Sequence, residues 1–462
     1  MRRTLEAAAY ALGAALIGAD RPFEAVSTDS RTLTRGALFV GLRGPNFDGA
    51  DFAAAALARG AAGAILERPL SEVSMPQIVV PDALRALQRL AKSWRADFSI
   101  PIVGVAGSNG KTTTKEMTSA ILARRGSCLA TRGNLNNHIG VPLTLLRLEP
   151  THESAVIEMG ANRAGDVAEL VALARPTVGL ITNAGAEHLE GFGDLDGVAR
   201  GEGEMVAGLE AGATAVINAD DAYADYWRGV ARAAQVVTFG ASGGADFKAA
   251  GIASSVEEGG FVTRFTLECP LGRHPVVLRT GGAHNVLNSL AAAAAAAAAG
   301  APLEDIAAGL GDFSPVSGRL QLKAGRNDSW IIDDSYNANP SSVRAGIDVL
   351  RAVEGATWLV LGDMAELGAH AAGSHAELGA YARAAGVARV FASGPDSALA
   401  VEAFGAGGEW FADVESLIRR VEAEIGPGVT VLIKGSRVNR LERVVQALVR
   451  VPAGSGAAKQ AS

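Results

Sequence analysis

The chain has 462 residues, 48% hydrophobic and 20% charged, with 42 basic against 49 acidic residues and a formal net charge of −7. That length exceeds one ordinary core and calls for several domains, while the mild acidic excess offers no field for nucleic acid or an anionic membrane. Two cysteines, Cys128 and Cys269, exclude a disulfide framework and fit a reduced cytoplasmic setting.

At the N-terminus, MRRTLEAAAYALGAALIGAD imitates a signal peptide, but Glu6 interrupts it and its apolar residues are mostly alanine. Leu5, Ala8, Ala9, Leu12 and Leu16 share one face at helical spacing, so the stretch is expected to be the first helix of a domain. ALFVGL and AGAILE then read as strands, and DALRALQRLAKSWRADF as an amphipathic helix. This first block, 1–98, is expected to be a small mixed α/β domain.

From SIPIVGVAG onward, short apolar runs (SAVIEMG, VGLITNAG, TAVINAD) alternate with helical spacers. That rhythm predicts a parallel sheet covered on both faces. FKAAGIASSVEEGGFVTRFTLECP breaks it and reads as antiparallel strands around an EEGG turn. AAAAAAAAAG is too short and small-chained to cross a membrane, which needs about 20 strongly apolar residues. It is expected to be a tightly packed helix stopped by Gly300 and Pro302. The second block, 99–313, is expected to be a central ATPase-like parallel-sheet domain with appended antiparallel strands. A third, 314–452, alternates WIIDDSYNANP, TWLVLGDM, ARVFASG and VTVLIKGS with helices and predicts a Rossmann-like unit. The tail, 453–462, is small and polar and is expected to be disordered.

The segment VGVAGSNGKTTTK (103–115) places a glycine-rich turn between a buried strand and a helix. Such a turn exposes unpaired N–H groups at the positive end of the helix dipole, where a phosphate can sit. Gly107, Ser108, Asn109 and Gly110 would wrap it, Lys111 would reach the outer phosphates, and Thr112 would hold magnesium, with Thr113 beside it. The strict phosphate-loop pattern needs one more glycine, and Val105 stands in its place.

GSNGKTTT resembles the loop of the Mur ligase family, the ATP-dependent amide-forming enzymes of peptidoglycan synthesis. TRGNLNNHIGVPLTLLRL (131–148), VIEMGA, ITNAGAEHLE, GGAHNVLNSLAA, SGRL, DDSYNANPSS, LGDMAELG and VLIKGSR follow in the family's order. VSTDSRTLTRGALFVGLRG in the first block looks like its uridine-binding entry. DDSYNANP, GDMAELG and KGSR point to the member whose acid is UDP-N-acetylmuramoyl-tripeptide and whose amine is D-alanyl-D-alanine. The resemblance implies ATP and Mg2+, a carboxylate activated as an acyl phosphate, a cytoplasmic monomer, and neither membrane insertion nor nucleic-acid binding.

It also implies roles residue by residue. Thr112 and Glu158 would hold one magnesium and His188 a second, although magnesium prefers oxygen ligands. Asn285 and Asp334 would hold the nucleoside, Asp334 at the ribose, and Arg319 would reach the phosphates from the third block. Asn134, Asn136, Asn137 and Asn337 would meet substrate, as would Lys434, Ser436 and Arg437, which follow a strand where such sheets bind ligands. Ser30 and Arg31 would hold the uridine diphosphate. The family carries a lysine that becomes carbamylated in an Ala-Lys-Gly-Glu context. In GVARGEGEM (197–205), Glu202 stands there, and its carboxylate is expected to replace the carbamate. The rival readings are another ligase of the family and a phosphate-loop module that hydrolyses ATP to switch a partner.

Overall fold

A computed structural model describes residues 3–257 and 259–450; the tail expected to be disordered lies outside them. In the first domain, a five-stranded sheet runs in the order Leu16–Ile17, Gln77–Val79, Gly63–Leu66, Leu38–Val40, Val26–Ser27, parallel except for its first strand. The opening helix is shorter than its apolar spacing suggests. It spans Leu5–Leu12 and stops where Gly13 adopts a left-handed φ of 63°. Leu16, placed by its spacing on the same helical face, instead pairs with Ile78 in the sheet.

The helix Ala83–Arg95 is capped by Asp82, whose side chain accepts from the Arg85 N–H. It buries Leu87, Leu90 and Trp94. Trp94 Nε1 donates to the Leu148 carbonyl at 3.0 Å, and Arg95 Nε to that of Ala174 at 2.8 Å. Both acceptors belong to the second domain, so this helix ties the first domain to it.

The second domain carries six parallel strands in the order Ser127–Ala130, His152–Glu158, Ile102–Ala106, Val178–Ile181, Thr214–Asn218, Gln235–Phe239. Ile102–Ala106 comes first in sequence and lies third in space, so the chain departs to either side of it. Ligands of such sheets bind at the carboxyl ends beside that switch point, which is where residues 107–110 lie. The strands Lys248–Glu257, Gly260–Cys269 and Gly272–Leu278 form a separate antiparallel sheet. Glu257 pairs with Gly260 across the expected turn, whose Glu258 lies outside the described residues.

The alanine run belongs to the helix Ala283–Ala298, in which Ala291 through Ala296 are fully buried. Small side chains there let helix backbones approach closely. The neighbouring helix Leu303–Asp312 shows the same tightness, because a Cβ at Gly309 would lie 2.4 Å from Ile121 Cα on the loop helix Lys111–Leu122.

The third domain is a six-stranded sheet ordered Gln321–Ala324, Trp330–Asp333, Val429–Lys434, Ala356–Gly362, Arg389–Ser393, Gly408–Phe411, antiparallel only at its first strand. The edge strands Gln321–Ala324 and Gly408–Phe411 carry too little apolar run to stand out in sequence. They are strands because a neighbour supplies their hydrogen-bond partners.

Gly309 separates two opposed effects. Alanine there gains about 1 kcal/mol of helix propensity, but overpacking a rigid core costs about 1–3 kcal/mol, and the atom it meets is backbone. The clash outweighs the gain, so Gly309→Ala is expected to lower the thermal unfolding midpoint; an unchanged or higher midpoint would refute the packing argument.

Candidate active site

Val105 is no defect in the phosphate loop. It is fully buried and pairs with Glu158 on one side and Leu180 on the other, as a core residue of the strand Ile102–Ala106. The loop therefore begins only at Gly107. Gly107 and Gly110 take φ of +116° and +81°, conformations that other residues adopt at a cost. A Cβ at Gly107 would lie 2.1 Å from Thr182 Oγ1, and one at Gly110 2.2 Å from Asn288 Oδ1.

The loop is held from behind. Gly107 N–H donates to Glu202 Oε2 at 2.6 Å, Ser108 N–H to the Asn183 carbonyl at 2.9 Å, and Asn109 N–H to Asn183 Oδ1 at 3.0 Å. Among the described residues no protein acceptor meets the N–H groups of residues 110–113. Those donors form the first turn of the loop helix, where the dipole favours an anion.

Charge dominates the floor of the cavity. Lys111 Nζ rests on the carbonyls of Gly107 (2.5 Å) and Ser108 (3.1 Å) and on Glu187 Oε1 (3.1 Å). Burial pulls its pKa down, but the carboxylates of Glu187, Glu202 and Glu158 outweigh burial and hold it above the ordinary lysine value. Glu202 is only 2% exposed, on the helix Leu195–Ala207. Burial pushes it up to about 7 against the opposing pull of Lys111. Glu158 closes its strand; its Oε1 accepts from Asn136 Nδ2 at 2.8 Å, while the buried Oε2 has no partner among the described residues. One ammonium thus faces three carboxylates, a balance that admits a polyanion only with further cations.

A buried carboxylate oxygen without a donor suits a divalent cation. Thr112 and Glu158 both line the cavity. Among the described residues no three His, Cys, Asp and Glu side chains converge as a metal cage. Magnesium takes one or two protein ligands and fills its octahedron with phosphate oxygens and water, so Thr112 and Glu158 could hold it.

The third domain reaches into the same cavity, of about 450 Å³. Arg319 Nη2 donates to Thr112 Oγ1 at 3.4 Å, and its guanidinium lies 4.3 Å from the centre of the Tyr336 ring. Arg437 lies against the same ring at 5.2 Å. Asn339 Nδ2 donates to Asn109 Oδ1 at 2.8 Å, and Asn109 Nδ2 to Ser341 Oγ at 3.0 Å. His188 Nδ1 pairs with the Glu366 carboxylate, and both residues hold left-handed backbone, φ 50° and 63°.

Of the residues singled out in sequence, Ser108, Asn109, Gly110, Lys111, Thr112, Asn134, Asn136, Asn137, Glu158, His188, Arg319, Asn337, Lys434, Ser436 and Arg437 line this cavity. The others do not. Gly107 and Glu202 sit behind it. Thr113 stays on the loop helix, outside the lining. Asp334 lies beside it, holding Lys434 Nζ at 2.6 Å, so the ammonium expected to meet substrate is already neutralised. Asn285 is 4% exposed, its amide donating to Thr280 Oγ1 and the Gly281 carbonyl, so its side chain does not face the cavity. Ser30 and Arg31 lie in the first domain. Arg31 forks onto Asp29 while 86% exposed, and that hydrogen-bonded pairing holds Asp29 at about 2.

Sequence reasoning passed over Glu187, Tyr336, Asn183 and Glu366. Glu187 carried a signal, since it directly precedes His188 in NAGAEHLE. Tyr336 lies inside the DDSYNANP motif.

The chain matches three family models: "Mur ligase family, catalytic domain" at 22–95, "Mur ligase middle domain" at 105–296 and "Mur ligase, glutamate ligase domain" at 318–437. It is 44% identical over 440 residues to the UDP-N-acetylmuramoyl-tripeptide–D-alanyl-D-alanine ligase of Escherichia coli K12, covering 95% of this chain and 96% of that one. This chain belongs to the Mur ligase family. The Bacillus subtilis relative of the same description is 35% identical, over 92% of this chain and 93% of that one. Among solved Mur ligases, MurF from Acinetobacter baumannii superposes with a TM-score of 0.90 at 33% identity, covering 96% and 98% of the two chains. MurF from Thermotoga maritima, solved with ADP, gives 0.80 at 29% identity, covering 92% and 96%.

In this Mur ligase the folded chain keeps the Glu202 proton to near pH 7, whereas the unfolded chain loses it near the ordinary 4.5. Ionising that carboxyl therefore costs stability progressively from about pH 4.5 to about 7, on the order of 3 kcal/mol in all, and the loss is level above. Glu202→Gln abolishes the titration and keeps an acceptor for Gly107. Its unfolding midpoint is expected to gain on that of the native chain across this window. Parallel pH profiles would show that Glu202 does not titrate there.

Proposed function

We infer that the protein is an ATP-dependent ligase that joins D-alanyl-D-alanine to UDP-N-acetylmuramoyl-tripeptide, giving the UDP-linked pentapeptide, ADP and phosphate. One observation carries this reading beyond the family likeness: a glycine loop whose single lysine is ringed by carboxylates and met, from another domain, by Arg319 at Thr112. A machine that only hydrolysed ATP would need no second anion beside the γ-phosphate. A ligase must press a substrate carboxylate against it, and so must gather cations from more than one domain.

The free N–H groups of residues 110–113 would cradle the β-phosphate, with Lys111 turning from the Gly107 carbonyl toward the β- and γ-oxygens. Thr112 and the unpartnered oxygen of Glu158 would hold Mg2+, which would neutralise those oxygens. His188 would hold its place beside them through Glu366. Arg319 would draw charge from the transferring phosphoryl group. The tripeptide carboxylate attacks the γ-phosphorus and ADP leaves. The dipeptide amine then attacks the acyl phosphate carbon, loses a proton, and expels orthophosphate. Arg437, which has no ion pair among the described residues, is a better partner for a substrate carboxylate than Lys434, which Asp334 holds. Glu202 would support the loop through Gly107 and, once ionised, stand in for the carbamate's negative charge from behind the cavity. Ser30 and Arg31 would anchor the uridine diphosphate.

The domains follow the same division, with 1–98 for the sugar nucleotide, 99–313 for ATP and 314–452 for the dipeptide. No helix among the described residues is long and apolar enough to cross a membrane; a cytoplasmic monomer is the setting we propose.

The decisive assay supplies UDP-linked tripeptide carrying heavy oxygen in its terminal carboxylate, together with ATP and D-alanyl-D-alanine. One labelled oxygen is expected in the released orthophosphate, and release is expected to need both cosubstrates. Unlabelled phosphate, or release from ATP alone at the same rate, would overturn the scheme. Arg319→Ala is expected to lower kcat about 10²–10³-fold, the usual effect of losing a group that stabilises transition-state charge, with ADP affinity changed far less. Equal losses in kcat and ADP affinity would count against that role.

A further inference from the structure

A second cleft, of about 430 Å³, shares no lining residue with the active site. It lies at the edge strand Ser127–Ala130 of the central sheet and is bordered by Glu116, Cys128, Thr131, Arg132, Arg147 and His152. Two guanidiniums face one another's charge there, and neither Arg132 nor Arg147 makes a side-chain hydrogen bond or ion pair among the described residues. Arg147 Nη1 is wholly covered and has no acceptor. A half-buried guanidinium without a counter-ion is costly, and a second one beside it adds to the cost.

The neighbouring charges do not remove the excess. Glu116 is held by the buried Lys115 at 2.6 Å, so that pair is neutral as a unit. Glu149 acts on Arg147 only from a distance, without a salt bridge. His152 Nδ1 accepts from the Glu149 N–H at 2.9 Å, which leaves Nε2 as the nitrogen that carries the ring proton. The cleft thus presents two cationic forks and an imidazole donor. Planar forks of this kind match the oxygens of a phosphate group.

We propose that this cleft is a second anion site, separate from the ATP loop, that binds a phosphate group between Arg132 and Arg147. Its lining runs on into the active-site wall, because Gly133 borders the cleft and the next residue, Asn134, borders the active site. Thr131 accepts from Lys115 Nζ through its carbonyl at 2.8 Å, and its Oγ1 accepts from the Glu158 N–H at 3.0 Å.

The test is calorimetric titration of inorganic phosphate into the full chain carrying Lys111→Ala, which weakens the loop's own hold on phosphate. Saturable binding is expected to persist there. Adding Arg132→Ala is expected to weaken it about tenfold, the effect of losing one charge-assisted hydrogen-bonding group, and Arg147→Lys is expected to weaken it as well. Should Arg147→Lys fail to fold, exposed Arg132 still decides the matter. No saturable binding, or binding indifferent to Arg132→Ala, overturns the proposal. Stronger binding of succinate than of phosphate overturns the assignment of a phosphate group.

Discussion

The cavity floor is built around an unbalanced charge. The Lys111 ammonium sits among Glu158, Glu187 and Glu202, and its proton is held because those carboxylates overcome the penalty of burial. Nothing polyanionic can enter such a place alone. The arrangement makes nucleotide binding conditional on cations brought from elsewhere, and the rest of the architecture is a means of bringing them.

Strand order supplies the first part of that means. Because Ile102–Ala106 lies inside its sheet with later strands on both sides, its carboxyl end opens where neighbouring loops diverge. The strand ending in Glu158 delivers a carboxylate from one side, and the segment after Val178–Ile181 delivers Asn183 and Glu187 from the other. Helix packing beneath keeps the loop helix in place, with alanines and Gly309 allowing close contact.

The third domain supplies the second part. Asn339 and Ser341 grip Asn109, Glu366 grips His188, and Arg319 reaches Thr112 across the Tyr336 ring. Asn339 also caps its own helix, so one residue both starts that helix and touches the phosphate loop. A domain that carries the cation and also contacts the loop helps exclude water, which an acyl phosphate requires.

Sequence alone determined the parts that rest on local chemistry. Glycines before a lysine at a strand-to-helix turn, apolar runs with alternating helices, and the ordered motifs are legible because each is written in contiguous residues. They located the loop, Glu158, the asparagines at 134, 136 and 137, and Arg319. Tertiary structure decided what depends on neighbours far along the chain. It showed Val105 as core rather than a missing glycine, ended the first helix before Leu16, and buried Glu202 against Gly107. It also turned Asn285 inward and set Lys434 on Asp334, 100 residues away in sequence. Burial and charge pairing are properties of what surrounds a side chain, and a linear pattern does not state which distant residue will do so.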